Sequence, residues 1–256
     1  MPVDWPVAAL LFLAAGLAGW VDAVAGGGGI LQLPSVLAAG IRQPVASGVN
    51  KTSSFCGTLA ALVRYARHRQ VAWATVPACG LLCLLGSAVG SLGLIELAES
   101  VESALVPFFA ACFVALAAHQ VLRVLRHRDG EPLPRRRPLL GWLLCLVIGL
   151  YDGLIGPGTG IFLFWTLSTC FALHPLRATG TTKALNVLTN IGALVPLLAK
   201  GHTVWPLALG MAGCNVLGGT LGSHHALTRG TGLVRIVAAG VSVAASILLL
   251  VRWARG

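Results

Sequence analysis

The chain has 256 residues, of which 56% are hydrophobic and only 10% are charged, against about 25% charged in ordinary soluble domains. Eighteen lysines and arginines with eight aspartates and glutamates cannot coat a soluble body of this size, which excludes a soluble enzyme or binding domain. The formal net charge of +10 does not point to nucleic acid either: it concentrates in the run RVLRHRDGEPLPRRR at 123–137, with no basic face or aromatic platform beside it. An all-α integral membrane protein is expected, with the lipid bilayer as its surroundings and its function in whatever is polar at membrane depth.

In chain order, Met1 to Trp5 carries no cation ahead of the first apolar run, so no cleaved signal peptide is expected and the first helix stays. The apolar run Val7 to Val24 ends in the break AGGGG at 25–29. Two short runs follow, Ile30 to Ile41 and Lys51 to Val63, of 12 and 13 residues. As helices they reach only about 18–20 Å against a bilayer core of about 30 Å, which predicts two half-helices meeting near mid-membrane. Val71 to Ile95, free of charge over 25 residues, and Ser103 to Leu122 are long enough to cross. After the basic loop, Pro138 to Leu154 ends in the break GPGTG at 156–160, followed by runs at Gly160–Leu173, Lys183–Ala199, Thr203–Ser223 and Leu233–Val251. The seven cysteines are scattered through apolar segments without a C-x-x-C pair and read as small core residues. No metal-ligand cluster and no cofactor motif occurs.

The chain repeats itself. Asp22 recurs as Asp152, and Gly26 and Gly28 recur as Gly156 and Gly158, at an offset of 130. After a two-residue insertion, Gly48, Lys51, Trp73, Gly86 and Gly90 recur as Gly180, Lys183, Trp205, Gly218 and Gly222 at an offset of 132. This divides the chain into a membrane repeat at 1–122, a basic cytoplasmic linker at 123–137 and a second membrane repeat at 138–256. Matched loops differ in charge: Arg64, Arg67 and Arg69 face only Lys200, while Glu96, Glu99 and Glu102 face His224, His225 and Arg229. If the halves are inverted, the arginines of 64–69, 123–137 and 229 all lie in the cytoplasm, as the positive-inside rule requires, although Arg252 and Arg255 then lie outside. The expected architecture is two inverted repeats, each with three transmembrane helices plus a broken-helix re-entrant hairpin.

Two of the three lysines, Lys51 and Lys183, are repeat-matched, and Asp22 and Asp152 are the only acids inside apolar runs. Ionisable groups at membrane depth are costly and mark sites or pathways. Asn50 and Ser54 stand beside Lys51; Asn186 and Asn190 share a helix face with Lys183. The glycine breaks expose backbone N–H groups at the start of the following half-helix, a ready anion site. Broken helices at matched positions of two repeats are the sequence pointer to a transporter binding site. The candidate substrate-binding residues are therefore Lys51, Lys183, Gly26, Gly27, Gly28, Gly29, Gly156, Gly158, Thr159, Gly160, Asn50, Ser54, Asn186 and Asn190. Asp22 and Asp152 either pair with Lys51 and Lys183 of their own halves, cap half-helices, or carry a coupling proton. Gly86-x-x-x-Gly90 and Gly218-x-x-x-Gly222 read as close helix packing.

GWVDAVAGGGGILQLPSVLAAG with GVNKTSS, and YDGLIGPGTGIF with ATGTTKALNVLTN, resemble the sulfite exporter TauE/SafE family. Val49 stands where that family often carries threonine. The resemblance implies an inner-membrane carrier of small sulfur-containing anions such as sulfite or sulfoacetate. The expected function is a secondary transporter of a small anion working by alternating access. A passive anion channel would use the same residues. A membrane-embedded enzyme is disfavoured because His119, His174 and His202 are not repeat-matched and no H-E-x-x-H occurs.

Overall fold

The computed structural model describes residues 4–96 and 136–255; the run at Ser103–Leu122, most of the basic linker, and Glu99 and Glu102 lie outside them. All regular structure among the described residues is helical. Helices α1 (Trp5–Ala25), α2 (Gly29–Ala38) and α3 (Gln43–Arg67) are followed by α4 (Trp73–Glu96), which opens on a 3₁₀ turn. Then come α5 (Pro138–Leu154), α6 (Thr159–Cys170), α7 (Pro175–Ala199) and α8 (Trp205–Arg255), the last broken at Gly230 with φ 71°. Prolines stand in the first turn of α1, α3, α5 and α7, where the missing N–H has no intrahelical role. Helices α1, α4 and α7 are long and apolar enough to cross a membrane. Leu10, Leu13 and Leu17 of α1 and Leu81, Leu85 and Val89 of α4 are exposed, as lipid-facing stripes require.

One expectation is corrected. The segment from Lys51 to Val63 is not a half-helix: α3 begins at Gln43 and runs 25 residues, and α7 likewise begins at Pro175 and runs 25. The polar residues around Lys51 form the inward face of a continuous helix, with Ser47, Asn50, Lys51, Thr52 and Ser53 all buried. Helix α2, at 10 residues or about 15 Å, remains too short to cross. Each pair is thus one half-length and one full-length helix rather than two half-helices.

Close packing rests on glycine. A Cβ on Gly86 would strike the Leu146 carbonyl, and one on Gly90 the Leu150 carbonyl, so α4 lies directly against α5. On α8, Gly218 meets the carbonyl of Gly16 and Gly222 that of Trp20, both on α1. Gly16 and Trp20 are the sequence matches of Leu146 and Leu150, so the same packing is made twice. Gly48 abuts the carbonyl of His202 and Gly180 that of Gln70, again at matched positions. Small residues let backbones approach where lipid supplies no hydrophobic drive between helices. Apolar side chains fill the space on either side, with Tyr65, Leu163, Leu167 and Leu185 in one cluster and Leu11, Leu33, Val49 and Met211 in another.

Candidate functional site

The two glycine breaks meet. Helix α1 ends at Gly26, whose φ of 84° is left-handed and whose N–H donates to the Asp22 carbonyl at 2.7 Å. The second break holds Gly156 and Gly158 at φ 89° and 82°, conformations that L side chains avoid. Gly26 and Gly160 touch backbone to backbone, leaving no room for a Cβ on either. The starts of α2 and α6 are thereby brought together. Among the described residues, no backbone carbonyl accepts from the amides of Gly29 or Gly160, the orphan donors expected at helix starts.

Beside this junction lies a cleft of about 30 Å³, room for about two water-sized groups. The first break contributes Asp22, Gly26 and Gly29, and α3 contributes Asn50, Lys51, Ser54 and Thr58. From the second half come Asp152, Gly156, Gly158, Thr159 and Gly160, with Asn186 and Asn190 of α7. Eleven of the fourteen residues singled out as candidate binders therefore line one cavity, together with both aspartates. Gly27 and Gly28 are buried outside the lining, and Lys183 stands behind Asp22.

The ion pairs cross between the halves. Lys51 Nζ lies 2.5 Å from Asp152 Oδ2, and Lys183 Nζ lies 3.0 Å from Asp22 Oδ2 and also donates to the Asp22 carbonyl. Pairing of each lysine with the aspartate of its own half is overturned. All four side chains are largely out of solvent, with Lys183 fully buried and Asp22 the most open at 17%. Thr159 Oγ1 stands 2.6 Å from Asp152 Oδ1, and Ser87 Oγ of α4 stands 3.2 Å from Oδ2. Asp22 Oδ2 accepts from Thr58 at 3.2 Å.

The cleft thus carries no net charge from its ion pairs, yet it is rich in free hydrogen-bonding capacity. Asn50 Oδ1 and Asn186 Oδ1 are buried without a partner, a costly state unless a ligand or water completes it. An amide can turn to present its two N–H donors instead. With Lys51 and the orphan amides, this environment suits an oxyanion. Thr58 falls, with Ser54, on the polar face that the sequence already gives to the helix of Lys51, whereas sequence reading missed Ser87, Gln32 and Asn215. Gln32 is fully buried, accepts from Asn215 Nδ2 at 2.6 Å and donates to the Asn50 carbonyl at 3.5 Å, tying α2 and α8 to the helix that carries Lys51. Ser87 had one usable signal, its place within the Gly86–Gly90 packing face.

Comparison with known proteins places the chain in a family. The family described as sulfite exporter TauE/SafE matches residues 11–249. A probable membrane transporter protein, ORF9, of Sinorhizobium is 34% identical over 94% of this chain and 92% of its own length. The probable membrane transporter protein YfcA of Escherichia coli K12 is 29% identical over 94% of this chain and 88% of its own, and one from Haemophilus influenzae is 27% identical over 92% and 91%. No solved structure matches. With both glycine breaks and both lysines in place and a match over nearly its whole length, the chain is a membrane protein that belongs to the sulfite exporter TauE/SafE family.

Proposed function

We propose that this protein is a secondary transporter that moves a small sulfur-containing anion, such as sulfite or sulfoacetate, across the cell inner membrane by alternating access of two inverted halves. The carrying observation is the cleft, where both glycine breaks converge with Lys51, Asn50 and Asn186. The oxyanion accepts from Lys51, from the amides of Gly29 and Gly160 and from turned asparagine amides, with Ser54 and Asn190 completing its shell. Lys183 acts from behind, holding Asp22. An inverted relation between residues 1–122 and 138–256 is supported by the contacts exchanged at matched positions. The turn after α3 meets α7 near Gly180, while the turn after α7 meets α3 near Gly48, as in an antiparallel pair.

Labelled sulfite and sulfoacetate flux into proteoliposomes tests this reading, with empty liposomes as the leak control. A carrier gives saturable flux that exchanges one-for-one with internal anion. Flux that neither saturates nor exchanges identifies a channel, and no flux of either anion from folded protein overturns the reading.

A further inference from the structure

The two cross-half ion pairs are matched in sequence but not in surroundings. Asp152 has two hydroxyl neighbours, Thr159 on α6 and Ser87 on α4. The residues matched to these around Asp22 are Gly29 and Gly219, which carry none. Moreover, each hydroxyl beside Asp152 is shared. Thr159 Oγ1 stands 2.6 Å from Asp152 Oδ1 and 2.7 Å from the Gly156 carbonyl; Ser87 Oγ stands 3.2 Å from Oδ2 and 2.8 Å from the Thr189 carbonyl.

A hydroxyl has one proton to donate, and a carbonyl can only accept. With Asp152 ionised, Thr159 faces two acceptors with a single hydrogen, and so does Ser87. One added proton completes the Thr159 side: Asp152 Oδ1–H donates to Thr159 Oγ1, which donates to the Gly156 carbonyl. Asp22 has a different hydroxyl neighbour, Thr58, whose single hydrogen goes to Oδ2 with no second acceptor among the described residues, so the shared wiring that leaves a place for a proton is found at Asp152.

The charges lead to the same residue. Asp152 faces Lys51 of α3, while across the cleft Asp22 of α1 is held by Lys183 of α7; among the described residues no other acid, lysine, arginine or histidine lines the cleft. An oxyanion that takes Lys51 strips Asp152 of its counter-ion. Two anionic groups then share one cation in a buried site, a costly arrangement unless one is neutralised.

We propose that Asp152 is a proton-binding site that loads with the anion: the oxyanion replaces Asp152 at Lys51, Asp152 takes a proton from a hydronium ion in the cleft and leaves a water, and anion and proton cross together. The O–H bond formed on Oδ1 is the one broken on a hydronium ion entering from the same side, and both steps reverse on release. This rests on the transporter reading above and assigns its coupling ion.

The test uses the full chain in proteoliposomes with the voltage clamped by potassium and valinomycin. It follows whichever of labelled sulfite and sulfoacetate is carried, with empty liposomes subtracted. An inward acid gradient of one pH unit should accumulate the anion up to about tenfold in the wild type. In Asp152→Asn the ratio of initial rates with and without the gradient should fall to about one. Thr159→Val, which breaks the proton chain while leaving the carboxyl, serves where Asp152→Asn does not assemble and should lower the same ratio. Wild-type flux indifferent to the gradient overturns the inference while leaving the transporter reading standing. So does a gradient response undiminished in the variants. Absence of flux from folded wild type instead removes the transporter reading itself.

Discussion

Lys51 Nζ of α3 meets Asp152 Oδ2 of α5 at 2.5 Å, so the ammonium of one sequence half is neutralised by the carboxylate of the other. Breaking such a buried pair from one side leaves an unpaired charge and costs about 3–5 kcal/mol, whereas removing both charges costs little. Lys51→Met should therefore lower the melting temperature of the detergent-solubilised protein sharply. Lys51→Met/Asp152→Asn should recover most of the loss, and Lys51→Met/Asp22→Asn should not. Equal rescue by the Asp22 change would point to pairing within a half.

Much of this site was legible in the sequence because ionisable and glycine residues are conspicuous in an apolar chain. A matched Lys, a matched Asp and a glycine break at constant offsets needed no structure to be grouped. What the sequence could not convey was which half each pair spans, since offset matching is blind to whether equivalent groups meet their own half or the other. The length of α3 was misread for a different reason. QPVASGVNKTSS looks like a loop by hydropathy, yet a helix buried among other helices can carry polar groups on its inward face. Ser87 and Asn215 went unseen because a single small polar residue in an apolar helix leaves no periodic trace.

Glycine positions should separate into two classes. At Gly26 a side chain would meet both a left-handed φ of 84° and the backbone of Gly160, and at Gly160 the backbone of Gly26. Gly26→Ala and Gly160→Ala should abolish assembly. Gly40 has a φ of 79° with nothing near its Cβ position, so Gly40→Ala should cost only about 1–2 kcal/mol. Yields of monodisperse protein from the three variants check this; a normal yield for Gly160→Ala would be incompatible with the close approach of the two breaks.

Asn186 offers a separation of binding from stability. Its Oδ1 is buried without a partner, so Asn186→Ala removes an unsatisfied group and should leave the melting temperature unchanged or raise it. Lost hydrogen bonding to the anion, about 1.5 kcal/mol, should weaken half-saturation of sulfite flux roughly tenfold. Unchanged half-saturation would take Asn186 out of the binding shell.

Side-specific labelling tests orientation. Arg64 at the end of α3 is 2.9 Å from His224 of α8, so the arginines of 64–69 and the histidines near Arg229 share one end of the bundle. A cysteine at exposed Arg67 should react with an impermeant maleimide only from the cytoplasm. One at exposed Lys200, after α7, should react only from outside. Labelling of both from one side would contradict inverted halves.

The exchange of contacts at matched positions also bears on how the chain comes to be folded. Helix α1 finishes its packing only against Gly218 and Gly222 of α8, and Asp22 gains its ammonium only from Lys183 of α7. During synthesis the leading half must therefore sit in the membrane with a carboxylate lacking its partner and a glycine-lined groove still open. These contacts close only when α7 and α8 arrive, so a chain interrupted after α5 should leave this groove and carboxylate uncovered.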